Sequence, residues 1–280
     1  MLGAGLAQVT EPLNEPEATR VLRGGGRMPV LGLGVWQMKE GREVEQAVEW
    51  ALAAGYRLVD TASIYRNERG VGAALRRSGL PREELFVTTK FNPARLSVAR
   101  ELKASLERLD LDYVDLYLIH WPVPLLVRRH WRALESLREQ GLARAIGVSN
   151  CGRGQLASLL QAATHPLAVN QVLFSPLHYR RMLLDYCQAQ GVLLEAYSPL
   201  ERGRALQHPT IVAIADRLER TPAQVLLRWA LQHGAVVIPK SSQRERIQSN
   251  AHIFDFALEP EDMRTLDALD RTGGAAHARR

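Results

Sequence analysis

The chain has 280 residues, which suits one α/β barrel of roughly 250 residues with short extensions. Hydrophobic residues make up 46% of it, enough for a large core, and no run approaches the ~18 uncharged apolar residues of a membrane helix. The net charge of +6 is dispersed without a basic block, which indicates solvated helix faces or a site for an anionic small molecule and argues against a nucleic-acid partner.

Both ends of the chain are expected to lie outside the folded domain. Residues 1–18 alternate Pro, Gly and Glu without a periodic apolar face, so we expect a flexible tail there, one domain over residues 19–272, and a short tail over residues 273–280. The N-terminal segment also lacks the basic region of a secretory signal. Cys151 and Cys187 do not have the spacing of a metal site or a redox pair. These features predict a cytoplasmic protein without a metal.

The folded part is expected to begin with a β-hairpin. Two short segments, Arg20–Arg23 and Arg27–Val30, flank the run Gly24-Gly25-Gly26. Consecutive glycines favour a tight turn, because glycine adopts positive φ at no steric cost.

After this hairpin, short apolar runs alternate with longer amphipathic stretches. The predicted strands are Leu31–Val35, Arg57–Asp60, Phe86–Lys90, Val114–His120, Arg144–Ser149, Ala168–Gln171, Val192–Tyr197 and Ala235–Lys240. The predicted helices include Glu43–Ala54, Val98–Arg108, Trp131–Gln140, Gln155–Ala163, Met182–Gln190, Pro222–His233 and Glu261–Leu269. Thr221 followed by Pro222 marks a helix start, with Thr as the N-cap and Pro in the first turn.

The alternation of strands and helices predicts a parallel sheet, and eight such strands predict a closed (β/α)8 TIM barrel. The alternative, an open doubly wound sheet, needs a glycine-rich dinucleotide turn. The nearest matches are Gly32-Leu33-Gly34 and Gly70-Val71-Gly72, and neither has the third glycine or a well-placed ribose-binding acid. We interpret these glycines as turn or packing positions.

Polar side chains end seven of the eight predicted strands, whose interiors are largely apolar. In a parallel barrel these ends meet at one mouth, which is where barrel enzymes carry their catalytic residues. One such residue alone is more often a turn former or a solvated side chain, but the set converges. Its members are Asp60, Lys90, His120, Ser149 with Asn150, Gln171, Tyr197 with Ser198, and Lys240 with Ser241.

Four residues near this mouth suggest a mechanism: Asp60, Tyr65, Lys90 and His120. A Tyr hydroxyl has an ordinary pKa of about 10, so it is a poor acid at neutral pH unless its anion is stabilised. A buried Lys90 ammonium beside Tyr65 would stabilise it, and Asp60 would keep that ammonium charged and oriented. His120 would bind the carbonyl oxygen that Tyr65 protonates during reduction of an aldehyde or ketone. The hydride must come from a nicotinamide cofactor.

Other chemistries fit the sequence less well. The histidines form no HxH or HExxH pattern, and there is no GxSxG nucleophile turn. Two carboxylates across a cleft would suit glycoside hydrolysis. Only Asp60 and Glu195 are candidates for that pair, and Glu195 is expected within a strand.

The sequence resembles the aldo-keto reductases through the motifs GYRLVDTASIYRNE, VTTK, LDYVDLYLIHWP, IGVSN, AYSPL and VIPKSSQRERIQSN. The resemblance covers about Val21 to Leu269 and is to the short bacterial type, similar to diketogluconate and methylglyoxal reductases. It implies a (β/α)8 barrel and NADPH-dependent reduction of carbonyl compounds. It also implies that Tyr65 is the acid and that His120 orients the carbonyl group, with Lys90 and Asp60 as the tuning pair.

The resemblance further implies a cofactor site and a substrate pocket. The residues expected to bind NADPH or NADP+ are Ser149, Asn150 and Gln171 at the nicotinamide amide, Tyr197 on its ring, Ser198 and Leu200 at the pyrophosphate, Lys240, Ser241 and Arg246 at the 2′-phosphate, and Asn250 near the adenine. Trp36 and Trp121 are expected to line the substrate pocket, with a place in the core as the alternative.

Three positions depart from the family pattern, namely Cys151, Phe174-Ser175-Pro176 and Ser249, and they affect the cofactor contacts and the pocket wall. The short loop after His120 and the short C-terminus predict an open site for small carbonyl substrates, and relatives of this length are commonly monomers.

Two alternatives to this function stay open. One is an NADPH-binding regulatory or structural protein on the same barrel, and the other is a barrel enzyme that uses a phosphate site after strands seven and eight for unrelated chemistry.

Overall fold

The computed structural model describes residues 18–95 and 97–272. The two expected tails, apart from Ala18, lie outside these residues. Where the described chain begins, two antiparallel strands form the predicted hairpin, β1 (Thr19–Val21) and β2 (Arg27–Pro29).

The turn of this hairpin explains its glycines. Gly24, Gly25 and Gly26 have φ angles of 91°, 97° and 84°, a region that side chains rarely adopt. Leu22 and Met28 flank the turn and pack against the first residues of several barrel strands. The hairpin therefore closes the N-terminal end of the barrel, and the opposite end is left as the open mouth.

Eight parallel strands form the central sheet, each beside the strand that precedes it in the chain. They are β3 (Gly32–Gly34), β4 (Leu58–Asp60), β5 (Phe86–Phe91), β6 (Val114–Ile119), β7 (Ala143–Ser149), β8 (Leu167–Leu173), β9 (Leu193–Tyr197) and β10 (Val236–Ile238). The sheet closes because Leu31 pairs with Val237 and the Gly34 amide donates to the Pro239 carbonyl oxygen at 3.2 Å. The predicted (β/α)8 barrel with an N-terminal hairpin is confirmed, and the open doubly wound sheet is excluded.

The glycines considered for a dinucleotide turn are packing positions, as the sequence indicated. A Cβ on Gly34 would lie 2.8 Å from the carbonyl oxygen of Ile238, at the seam where the barrel closes. A Cβ on Gly72 would overlap the backbone of Leu109 in a neighbouring helix. Both positions need the close backbone approach that only glycine permits.

Helices surround the barrel. They are α1 (Arg42–Ala53), α2 (Glu68–Arg77), α3 (Val98–Leu109), α4 (Val127–Glu139), α5 (Arg153–Ala162), α6 (Arg181–Ala189), α7 (Pro209–Arg217), α8 (Pro222–Gln232), α9 (Arg244–Ala251) and α10 (Pro260–Asp267). The predicted helices agree with these to within a few residues at their ends. The predicted start of α8 is confirmed, since Thr221 Oγ1 accepts from the Gln224 amide at 3.2 Å. The helices α2, α7 and α9 are additional to those named from the sequence, and α2 contains two glycines, which have a low helix propensity.

The last strand is shorter than predicted. The sequence indicated a strand over Ala235–Lys240, but β10 ends at Ile238. Pro239 has no N–H to donate to a sheet ladder, so pairing stops there. Lys240 is consequently an exposed residue of the loop at the mouth and does not end a strand.

Two apolar layers stabilise the domain. The inner layer fills the barrel with residues such as Leu58, Leu116 and Val169, and the outer layer packs the helices against the sheet. Within the described ranges, no helix combines the length and the apolar character required to cross a bilayer.

Candidate active site

Side chains at the C-terminal end of the barrel surround a pocket of about 260 Å³. The lining consists of Gly34, Trp36, Asp60, Ile64, Tyr65, His120, Trp121, Ser149, Asn150, Gln171, Tyr197, Ser198, Arg202, Ile238 and Lys240. Of the polar residues predicted at the strand ends, Lys90 lies buried beneath the pocket and Ser241 lines an adjoining groove, while the others line the pocket itself. The convergence expected at a barrel mouth is therefore present.

Lys90 lies beneath this pocket, and its side chain is completely buried. Its Nζ donates to Asp60 Oδ1 at 2.6 Å, to the Thr61 carbonyl oxygen at 2.8 Å and to the Tyr65 hydroxyl at 3.4 Å. Three acceptors engage all three hydrogens of the ammonium group. Burial acts to lower the pKa of Lys90, but the negative charge of Asp60 and the other neighbours outweigh it and raise the pKa. Lys90 therefore stays charged.

Tyr65 reaches Lys90 because of a local turn. The 3₁₀ turn Ser63–Tyr65 follows strand β4 closely, and the Tyr65 amide donates to the Ala62 carbonyl oxygen at 2.9 Å. Burial is the main cause that raises the pKa of Tyr65, while the charge of Lys90 opposes it. The phenol is protonated at neutral pH, and an ammonium group lies where it stabilises the anion left when the proton departs.

His120 lies in the pocket wall just beyond β6. Its ring contacts Tyr65 edge-on, with 5.7 Å between ring centroids, and stacks on Trp121 at 5.9 Å with 13° between the planes. Burial, and then the charge of Lys90, lower the pKa of His120 to about 3. The imidazole is therefore neutral at physiological pH. A neutral ring donates a hydrogen bond to a carbonyl oxygen without serving as the proton source.

A second carboxyl group lies behind the ion pair. Gln171 Nε2 donates to Asp60 Oδ2 at 2.7 Å and to Glu195 Oε2 at 2.8 Å, so one amide nitrogen bridges two acids. Glu195 lies within β9, as expected, and is fully buried. The sequence did not select it as a site residue, because its chain neighbours are apolar and its partner Gln171 lies on a different strand, the adjacent β8. Only its chemical type, an acid inside an apolar strand, was a signal.

A hydrogen-bonded series lines another wall of the pocket. The Tyr197 hydroxyl donates to Asn150 Oδ1 at 2.9 Å, and Asn150 Nδ2 donates to Ser149 Oγ at 3.0 Å. Ser149 Oγ donates to the Gln171 carbonyl oxygen at 2.9 Å. These contacts bring together the four residues predicted to meet the nicotinamide group.

A groove of about 650 Å³ continues from the pocket, and the two share Trp36, Ser198, Arg202 and Lys240 in their linings. The remaining predicted cofactor residues line this groove: Leu200, Ser241, Arg246 and Asn250. The cations Arg202, Lys240 and Arg246 face it together with one carboxylate, Glu245. An elongated groove with a surplus of cations, joined to a small reactive pocket, fits a dinucleotide that carries phosphates.

The two tryptophans lie at the mouth of the barrel, and their alternative place in the core is excluded. Trp121 is 53% exposed, and Trp36 is half-buried with the Arg202 guanidinium 4.6 Å from its ring centroid. Arg202 was not predicted, because it lies in a loop after β9 where the backbone has a left-handed kink (φ 54°). Among the described residues, no group of three or more acids, histidines or cysteines is placed to hold a metal ion.

A parallel barrel with a buried Lys–Asp pair beside a phenol, opening into a groove of dinucleotide size, defines a nicotinamide-dependent oxidoreductase. Comparison with known proteins agrees, since residues 30–271 match the model of the Aldo/keto reductase family. The chain belongs to this family and is an NADP-dependent oxidoreductase.

Known relatives match over nearly the whole chain. Glyoxal reductase of Bacillus subtilis (strain 168) is 47% identical over 253 residues, which cover 89% of this chain and 92% of that protein. An aldo/keto reductase structure from Brucella melitensis is 41% identical with a TM-score of 0.85, covering 90% of this chain and 99% of the other. An aldo-keto reductase from Bombyx mori, solved in complex with NADP, is 34% identical with a TM-score of 0.85, covering 90% and 92%. The short bacterial type fits these similarities.

Proposed function

We propose that this protein reduces small aldehydes or ketones to alcohols with NADPH and that Tyr65 is the general acid. The observation that carries the proposal is the position of the Tyr65 hydroxyl, 3.4 Å from Lys90 Nζ and in the same pocket as His120. A proton donor, a charge that stabilises its anion and a neutral hydrogen-bond donor thus converge where a carbonyl group fits. The pocket volume of about 260 Å³ supports small substrates. The similarity to a relative named glyoxal reductase supports them too.

Each side chain of this group has a distinct task in the proposed mechanism. Bound NADPH supplies the hydride, which no side chain provides. Hydrogen bonds from Tyr65 and His120 orient the carbonyl oxygen. As negative charge develops on this oxygen, Tyr65 transfers its proton, and Lys90 stabilises the phenolate that remains. Asp60 keeps Lys90 in position.

For the cofactor, we propose the contacts that the family resemblance implies. Ser149, Asn150, Gln171 and Tyr197 would meet the nicotinamide, Ser198 and Leu200 the pyrophosphate, Lys240, Ser241 and Arg246 the 2′-phosphate, and Asn250 the adenine. All of these residues line the pocket or the groove. Their order along the two cavities supports a nicotinamide in the small pocket and the phosphates in the large groove.

The direct test follows NADPH absorbance with a panel of carbonyl compounds that begins with glyoxal and methylglyoxal. We expect turnover of small aldehydes and dicarbonyls and slower turnover of bulky ketones, because the pocket is small. Tight NADPH binding without turnover of any compound would contradict the proposal. That result would favour the alternative of a regulatory or structural protein that binds the cofactor.

The pH dependence of reduction should show no ionisation of His120. Because burial lowers the pKa of His120 to about 3, its ring stays neutral across the range of about pH 5 to 8 in which an ordinary histidine titrates. We therefore expect kcat/KM to lack an acid limb in this range. A limb near the ordinary histidine pKa that disappears in His120→Gln would show that the ring is charged and works as an acid.

Replacing Arg246 with Ala should weaken NADPH binding and leave NADH binding unchanged. The two cofactors differ only in the 2′-phosphate, which a guanidinium holds by paired charge-assisted hydrogen bonds. Such bonds contribute about 1.5–3 kcal/mol, so the loss should be roughly ten- to hundredfold for NADPH. Fluorescence titration of both cofactors measures it.

Arg244→Ala is the matched control for this variant. Arg244 is an exposed arginine at the start of the same helix, but Arg246 lines the groove and Arg244 does not. The control should bind both cofactors like the wild type. Equal weakening of NADPH and NADH in Arg246→Ala would instead show that Arg246 supports the fold.

A further inference from the structure

A continuous series of buried polar contacts leads from the Tyr65 hydroxyl to Glu195. Lys90 Nζ joins the Tyr65 hydroxyl at 3.4 Å to Asp60 Oδ1 at 2.6 Å. Gln171 Nε2 then joins Asp60 Oδ2 at 2.7 Å to Glu195 Oε2 at 2.8 Å. Tyr65, Asp60 and Gln171 line the pocket, whereas Glu195 does not. Glu195 therefore acts on bound molecules only through its neighbours.

The amide of Gln171 has one orientation that satisfies this series. Asp60 is ion-paired with Lys90 and accepts hydrogen bonds only, so it requires the NH2 end of the Gln171 side chain. Glu195 Oε2 accepts from the same nitrogen, and the two acids together engage both of its hydrogens. Within residues 18–95 and 97–272, no donor contacts Gln171 Oε1. This oxygen is available to a hydrogen-bond donor in the pocket.

We propose that Glu195 is a positioning residue: together with Asp60 it fixes the Gln171 amide so that Gln171 presents its carbonyl oxygen to the NH2 group of the nicotinamide carboxamide. This role rests on the cofactor placement in the proposed function. With Asp60 as its only acceptor, the Gln171 amide could turn about the single hydrogen bond that remained. A second acceptor on the same nitrogen determines the plane of the amide as well as its direction.

The surroundings of Glu195 favour its neutral form, which still offers Oε2 as an acceptor. The side chain is fully buried, and within the described part of the chain Oε1 has no hydrogen-bond partner. The groups that face it are Asp60 from β4, Lys90 from β5 and the Tyr65 phenol, while its register partner on β10 is the apolar Val236. Burial, and then the charge of Asp60, raise the pKa of Glu195 to about 8. A neutral Glu195 leaves a single ion pair in the buried series.

The test compares binding of NADP+ with binding of its 3-acetylpyridine analogue, in which a methyl group replaces the carboxamide NH2. Quenching of tryptophan fluorescence measures both, so no turnover is required. The wild type should bind NADP+ roughly three- to tenfold more tightly than the analogue, as expected for one hydrogen bond. Glu195→Gln, which keeps an acceptor oxygen, should retain this ratio. Glu195→Leu, which has no acceptor, should lower the ratio to about one.

Thr88→Val is the matched control, because Thr88 is also a buried polar side chain of a barrel strand and its Oγ1 has no hydrogen-bond partner among the described residues. It should keep the wild-type ratio. A purely structural role of Glu195 would weaken NADP+ and the analogue equally, and an unchanged ratio in Glu195→Leu would overturn the proposal. Loss of the ratio in Glu195→Gln would overturn it too. A wild type that shows the ratio but reduces no carbonyl compound would refute the proposed function and leave this inference intact.

Discussion

Replacing Tyr65 with Phe should lower kcat by at least ~10²-fold, the usual contribution of a positioned general acid. The variant keeps the ring and its edge-on contact with His120 and loses only the hydroxyl beside Lys90. The dinucleotide groove is not altered, so NADPH should bind about as tightly as before. Single-turnover reduction of a reactive aldehyde, followed by NADPH absorbance, measures the chemical step directly.

Tyr117→Phe is the control for this variant. Tyr117 is a fully buried tyrosine that lies on β6 outside the pocket, and its hydroxyl has no partner among the described residues. Its removal should leave kcat unchanged. Retention of more than about a tenth of the wild-type kcat in Tyr65→Phe would refute Tyr65 as the acid, since general acid catalysis contributes more than that.

Replacing Lys90 with Met should abolish measurable turnover. Methionine fills a similar volume, but it provides no charge to stabilise the Tyr65 anion. Burial already raises the pKa of Tyr65, so the anion needs this stabilisation. The variant also leaves Asp60 buried without its ion-pair partner, and breaking such a pair typically costs about 3–5 kcal/mol of stability. Initial rates at high enzyme concentration, together with thermal unfolding, measure both effects.

The double variant Lys90→Met, Asp60→Asn separates the loss of stability from the loss of catalysis. It removes both charges of the buried pair, so much of the lost stability should return. Turnover should stay absent, because the proposed role of Lys90 is its charge beside Tyr65. Recovery of activity in the double variant would show that the pair serves only the fold.

Lys90 should also resist covalent trapping. A lysine that forms a Schiff base needs a lowered pKa, whereas the neighbours of Lys90 raise its pKa. Treatment of the protein with an aldehyde and borohydride should therefore leave the peptide that contains Lys90 unmodified, as mass spectrometry can show. An adduct on Lys90 would assign it a covalent role.

Much of the barrel follows from local patterns in the chain. Apolar runs that alternate with amphipathic stretches predicted the parallel strands and most of the helices, and Gly24 to Gly26 predicted the turn of the hairpin. Pairing in a parallel barrel joins successive strands, so the order of the strands follows from the order of the chain. For the same reason, Asp60, Lys90 and His120 at successive strand ends had to lie near one another.

Contacts across the barrel could not be predicted from local patterns in the chain. Gln171 and Asp60 are 111 positions apart, and their hydrogen bond depends on how far each side chain extends into the closed barrel. Glu195 meets Gln171 through the register of the adjacent strands β8 and β9. No spacing in the chain encodes these distances, because they depend on the tilt and the diameter of the barrel.

The sequence by itself determined the class of fold, the family and the set of polar residues at the barrel mouth. The tertiary structure alone decided the neutral ring of His120, the raised pKa of Glu195, and the direction of the Gln171 amide, which bridges Asp60 and Glu195. The reason is physical. Residue type and spacing determine strands and helices, whereas a pKa and the direction of a side chain depend on the burial and charges that surround a group only once the barrel has closed.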